Sequence, residues 1–183
     1  MASAITHFIV GASLALPALG SKSLRGVLPP WLIPVSAGLI AVAPDLDTYA
    51  MRILDIPRHS LFAHRGVFHS PFFLMLFCAV LAALTVGLRS PRAVWWLAVV
   101  WSTSAITHPL LDAMTDGGSG VMLLFPLTTQ RYFFPWRPIH VSPLGVWRFF
   151  DRAGPILRSE LPFCLAAAVI GAAGLWVRRQ GHQ

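Results

Sequence analysis

Hydrophobic positions along the chain gather into five long runs rather than into a two- or seven-residue alternation. They extend from Ala2 to Leu19, Leu28 to Ala43, Pro71 to Leu88, Ala93 to Met114, and Leu161 to Val177. At a rise of about 1.5 Å per residue, runs of about 17–22 residues reach roughly 26–33 Å, the thickness of a bilayer core. The second run has 16 residues and carries Pro29, Pro30 and Pro34, which predicts a tilted, broken or partly inserted segment. The first has no Lys or Arg before Lys22, unlike a signal peptide, and is expected to be a retained span. The pattern predicts an all-α, multi-pass transmembrane helical bundle of about five spans, a single integral-membrane domain over residues 1–183. The two long connections, Pro44 to Ser70 and Thr115 to Glu160, are proline-rich and aromatic, so they are expected to fold against the bundle.

Composition agrees with this reading. Hydrophobic residues make up 56% and charged residues 11%, against about 25% charged in a soluble domain. The same figures exclude a disordered chain. Two cysteines, Cys78 and Cys164, exclude a disulfide scaffold and, lying in apolar runs, carry no compartment signal. The net charge of +7 is dispersed in small groups between apolar runs: Lys22 with Arg25, Arg89 with Arg92, Arg178 with Arg179. Such cations meet lipid headgroups, so the expected partner is a lipid bilayer and not nucleic acid. The tryptophans (Trp31, Trp95, Trp96, Trp101, Trp136, Trp147, Trp176) are expected as interface anchors and lipid contacts. An odd number of spans puts both long connections on the N-terminal face. The three short basic segments lie on the other face, which the positive-inside tendency assigns to the cytoplasm; the N-terminal face is then extracytoplasmic.

Polar residues change the picture. On this topology His7, Asp45, Asp47, His64, His69, His108 and Asp112 all fall at the N-terminal face, from four segments distant in sequence. Pro44-Asp45-Leu46-Asp47 follows a helix end and offers two carboxylates on one side of a turn. His64 and His69 flank Gly66, which permits a sharp turn. His108 and Asp112 stand four residues apart on one helix face with Ser104 a turn earlier, and Pro109 is expected to bend that helix. Four histidines and three aspartates supply nitrogen and oxygen ligands of the kind zinc takes. Taken singly, each has a plainer role: His7, His64 and His69 as headgroup-facing residues, Asp45 and Asp47 as turn or helix-cap residues. His59, His140 and His182 gain nothing from the topology and are read as non-ligands.

Thr6-His7, Pro44-Asp45-Leu46-Asp47, His64-Arg65-Gly66 with His69-Ser70, and then His108 with Asp112 resemble the YdjM-like family of membrane-bound metal-dependent hydrolases, formerly a domain of unknown function. The likeness covers about residues 1 to 150, including Gly120 to Ser142 with Arg131-Tyr132-Phe133-Phe134-Pro135-Trp136. It implies a multi-pass inner-membrane protein with hydrolase activity. The ligand types and the helical His-x-x-x-Asp are more loosely similar to the zinc-dependent phospholipase C and S1/P1 nuclease group, which hydrolyses phosphoesters.

The reading that follows is a membrane-bound metal-dependent hydrolase acting on a phosphoester of a lipid or lipid-linked substrate. His7, Asp45, Asp47, His64, His69, His108 and Asp112 would hold one to three divalent ions, zinc first. Asp47 or Asp112 would serve as base instead of ligand, and the sequence does not choose between them. Arg65 would clamp a phosphate, with Arg131 and Arg137 as further candidates. Two alternatives stand beside it. One is an ion-coupled membrane transporter, which predicts polar residues through the membrane depth. The other is a non-catalytic membrane protein whose metal stabilises the fold.

Overall fold

The computed structural model describes residues 1–58, 60–87, 90–143 and 146–180. His59, His182 and Arg89 lie outside the described residues, as does Leu88 at the end of the third predicted run. The chain is all-helical: α1 (Ala4–Leu14), α2 (Lys22–Arg25), α3 (Leu32–Val42), α4 (Asp47–Ile53), α5 (Pro71–Val86), α6 (Pro91–Ala113), α7 (Val146–Phe150) and α8 (Ala153–Gln180). No strand forms among the described residues; two isolated bridges, Thr115 with Ile139 and Val121 with Tyr132, occur in the long connection.

Each apolar run does form a helix, but five spans do not follow. Among the described residues two helices, α6 and α8, are long and apolar enough to cross a membrane. The first run ends its α-helix at Leu14 and continues as a 3-10 turn from Leu16 to Gly20, with Pro17 at its start. The second gives only the 11 residues of α3, because the Pro29 and Pro30 region stays outside the helix. α5 is bounded by Ser70 and Pro71 at one end and by Gly87, at φ 74°, at the other. Ser70 accepts a hydrogen bond from the Phe73 N–H, and proline at the first helical position loses no bond, so the start is fixed by sequence. α6 runs through Pro109 without interruption.

α1 sits in the middle, packed against α3, α6 and α8, while α5 packs on α6. Close approach depends on small residues, as it does between helices in lipid. A Cβ at Gly11 would lie 2.5 Å from the Ala41 Cβ and 3.0 Å from the Ala37 carbonyl. Ser104 of α6 donates to the Gly11 carbonyl at 3.0 Å and ties the third helix to the same place. Trp101 departs from the interface-anchor expectation: it is buried in the core between α3, α5 and α6 and donates to Ser36 at 3.0 Å. Trp31, Trp95, Trp136, Trp147 and Trp176 are exposed.

The two ends of the bundle differ. At one, Arg178 lies over the Trp96 ring and packs against Gly20. At the other, the starts of α1, α5 and α8 meet the ends of α3 and α6. Here the connection after α6 folds back over the bundle: Met122 donates to the Arg65 carbonyl, Phe134 to the Ala113 carbonyl, and Ser142 to the Met1 carbonyl.

Candidate metal centre

The site grows from four segments that meet at this face. Ser3 caps α1, which puts His7 one turn inside. Pro44 opens a 3-10 turn that delivers Asp45 and starts α4 at Asp47. A compact loop carries His64 and Arg65 and closes in the 3-10 turn Val67–His69 before α5. In this loop Gly66 lies so close to the Leu61 and Ala63 carbonyls that no side chain fits. The last turns of α6 present His108 and Asp112.

These side chains converge. Asp45 Oδ1 lies 3.4 Å from His108 Nε2 and 3.8 Å from His69 Nε2. Asp47 Oδ2 lies 3.2 Å from His69 Nδ1, and Asp47 Oδ1 2.8 Å from His64 Nδ1. His7 stacks on His108 with ring centroids 3.7 Å apart and brings its Nε2 to 3.5 Å from Asp112 Oδ1. Two groups can each offer ligand atoms within 4.8 Å of one another: Asp45, His69, His108 and Asp112, all buried, and Asp47, His64 and His69. His69 belongs to both, one ring nitrogen facing each.

Hydrogen bonding fixes what these atoms can do. His108 Nδ1 meets the Ala41 carbonyl at 2.8 Å; the nitrogen facing a carbonyl must carry the proton, so Nε2 presents its lone pair toward Asp45. Eight buried side-chain atoms have no hydrogen-bond partner among the described residues, and all belong to His7, Asp45, Asp47, His69 and His108. An unmade bond at a buried polar atom costs about 1–3 kcal/mol. At that rate eight of them would cost about as much as, or more than, the ~5–15 kcal/mol that holds a whole domain together. Buried, convergent nitrogen and carboxylate oxygen atoms with unspent lone pairs are the donor set a divalent cation takes.

The charge state points the same way. Burial opposes ionisation of Asp45, but His108 and His69 outweigh it and hold the carboxyl well below the usual carboxylate range. Asp47 is lowered too, against its burial, by its hydrogen bond with His64 and by the nearby His69 imidazole. Burial disfavours protonated His69, yet Asp45 and Asp47 raise it to about 9. Burial lowers His64 despite its bond to Asp47. Asp45 and Asp47 are therefore held ionised, and the same two carboxylates favour a proton on His69 with which a cation would compete.

Arg65 meets a geometry different from an open phosphate clamp. It is 1% exposed, with φ 65°, and its guanidinium donates to Asp112 Oδ2 (3.0 Å), Thr115 Oγ1 (2.9 Å) and the Gly117 carbonyl (3.0 Å). Asp112 also accepts from the Ala2 N–H at 2.7 Å. This pair locks the end of α6 to the His64 loop. Arg131 reaches the His64 carbonyl at 2.8 Å, whereas Arg137 packs on the Phe133 ring. His140 is exposed, pairs with Asp116 and belongs to neither ligand group.

Sequence reading missed Glu160. It is fully buried on α8 and accepts from the Ser3 N–H (2.5 Å), Ser3 Oγ (2.6 Å) and Thr6 Oγ1 (2.7 Å), so it holds the turn that precedes His7. The available signal was a lone acid at the edge of the last apolar run.

The YdjM inner membrane protein family matches residues 1–180. Inner membrane protein YbcI of Escherichia coli (strain K12) is 35% identical over 185 residues, covering 98% of this chain and all of that protein. No solved structure matches the chain.

Proposed function

We propose that this chain, which belongs to the YdjM inner membrane protein family, is a multi-pass membrane-bound hydrolase that uses divalent cations, zinc first, to cleave a phosphoester of a lipid or lipid-linked substrate. The observation that carries the reading is the set of eight unpartnered buried atoms on five residues drawn from four separate segments. His7, Asp45, Asp47, His64, His69, His108 and Asp112 would hold the cations. A cation there supplies Lewis acidity for the ester and a nucleophile at neutral pH.

The protein's own groups do the rest. Ala41 fixes the His108 tautomer. Arg65 and the Ala2 N–H engage both Asp112 oxygens, which leaves Asp47, with Oδ2 unspent, as the less engaged of the two carboxylates. His64, 19% exposed, borders an open cavity beside the cluster. That access supports catalysis over a closed structural metal site. The buried charged side chains, Asp45, Asp47, Arg65, Asp112 and Glu160, gather at one end of the bundle, which supports hydrolysis over ion transport through the membrane depth.

The test uses detergent-purified protein. Metal content is measured for wild type and for His64→Ala, His69→Ala and His108→Ala, and hydrolysis of a phosphomonoester and a phosphodiester is followed with and without chelator. Metal loss in the variants with chelator-sensitive hydrolysis is expected. Unchanged metal content in all three variants would refute the site, and metal binding with no ester hydrolysed would leave only a structural role.

A further inference from the structure

Two cavities that differ in the charged side chains lining them flank the cluster. One, about 450 Å³, is a mainly apolar groove between the start of α1, α4 and α7, with Asp45 in its wall. Its mouth carries Ile5, Leu46 and Phe150, all exposed. The other, about 930 Å³, is lined by His64 together with Arg52, Arg58 and Arg131, against one carboxylate, Asp55, among its described lining residues. Thr48 and Arg52, one turn apart on α4, line both and form their common wall. Arg131 is held in place by the His64 carbonyl and Ser119.

We infer that the site takes an anionic amphiphile laid across α4, with its phosphate-bearing head in the arginine cavity and its hydrocarbon chain in the apolar groove. Guanidinium groups favour phosphate oxygens by charge-assisted, paired hydrogen bonds. A neutral or cationic head would leave three arginines facing one aspartate. A free phosphate would use only one of the two cavities. The apolar groove opens among exposed hydrophobic side chains, where a chain already in the bilayer interface enters without crossing water. The placement of the scissile bond between Asp45 and His64 rests on the hydrolase reading; the two binding subsites do not.

The probe is a long-chain alkylphosphonate, whose C–P bond an esterase does not cleave, so binding is read without turnover. Saturable binding to the full-length protein is measured by native mass spectrometry from detergent, beside inorganic phosphate, a short-chain phosphonate, and an alkyl alcohol and an alkyl trimethylammonium of equal chain length. The long-chain phosphonate is expected to bind at least about tenfold more tightly than each of the others. Arg52→Glu and Arg58→Glu are each expected to weaken it about tenfold, with Arg52→Lys and Arg58→Lys restoring most of the binding. Phe150→Asp is expected to weaken the long-chain but not the short-chain phosphonate. Equal binding of the alcohol or the trimethylammonium, full displacement by inorganic phosphate at equal concentration, or glutamate variants that bind as wild type would each overturn the inference. Binding without ester hydrolysis leaves these subsites standing and removes the hydrolase; hydrolysis with charge-insensitive binding does the reverse.

Discussion

Replacing His69 by alanine removes the imidazole common to both ligand groups. In the native arrangement its two nitrogens face Asp45 at 3.8 Å and Asp47 at 3.2 Å. The variant leaves both carboxylates, each held ionised by its histidine neighbours, with less to offset them. A cation that binds the folded protein stabilises it by about 2.7 kcal/mol at a concentration 100 times its Kd. For a chain of this length that is a rise in Tm of about 5–10 °C. Thermal unfolding is followed by tryptophan fluorescence in detergent, with and without zinc after chelator treatment. Wild type is expected to gain that increment, His69→Ala to lose most of it, and His140→Ala to keep it, since His140 pairs with Asp116 at the surface. A zinc-dependent rise in His69→Ala equal to that of wild type would refute the shared-ligand geometry.

Three further outcomes are expected. Because His69 is raised to about 9, it is protonated throughout the neutral range, so cation binding releases a proton and weakens as pH falls below about 9; calorimetric titrations in buffers of different ionisation heat check this, and zero proton release contradicts it. Glu160→Leu deprives Ser3 and Thr6 of their acceptor and is expected to cost about 2–5 kcal/mol of stability, with Glu160→Gln retaining more of it; denaturant unfolding distinguishes the two. Arg65→Lys cannot reach Asp112, Thr115 and Gly117 together and is expected to lower stability by about 2 kcal/mol and cation affinity with it; a phosphate clamp would instead raise KM at unchanged Tm.

Much of this site was legible in one dimension. Five apolar runs without two-residue alternation imply helices, because an apolar segment satisfies its backbone N–H and C=O groups within itself only as a helix. Their alternating direction sorts His7, Asp45, Asp47, His64, His69, His108 and Asp112 to one face, and the described structure brings ligand atoms of Asp45, His69, His108 and Asp112 within 4.8 Å. Helix lengths were less legible, since a hydrophobic run does not say where Pro17, Pro29 and Pro30 will stop the α-helical hydrogen bonding.

What a side chain does on arrival was decided only in three dimensions. Arg65 read as a phosphate clamp between two histidines; its positive φ and the bare backbone at Gly118 turn the guanidinium inward onto Asp112. Trp101 read as an interface anchor and is core because Ser36 stands opposite its indole N–H. Glu160 became part of the site through contact with Ser3, 157 residues away. Hydropathy and residue spacing are properties of a chain segment, so sequence carries them. Which donor meets which acceptor depends on how helices cross, and at Gly11 that crossing is set by the absence of a single carbon atom.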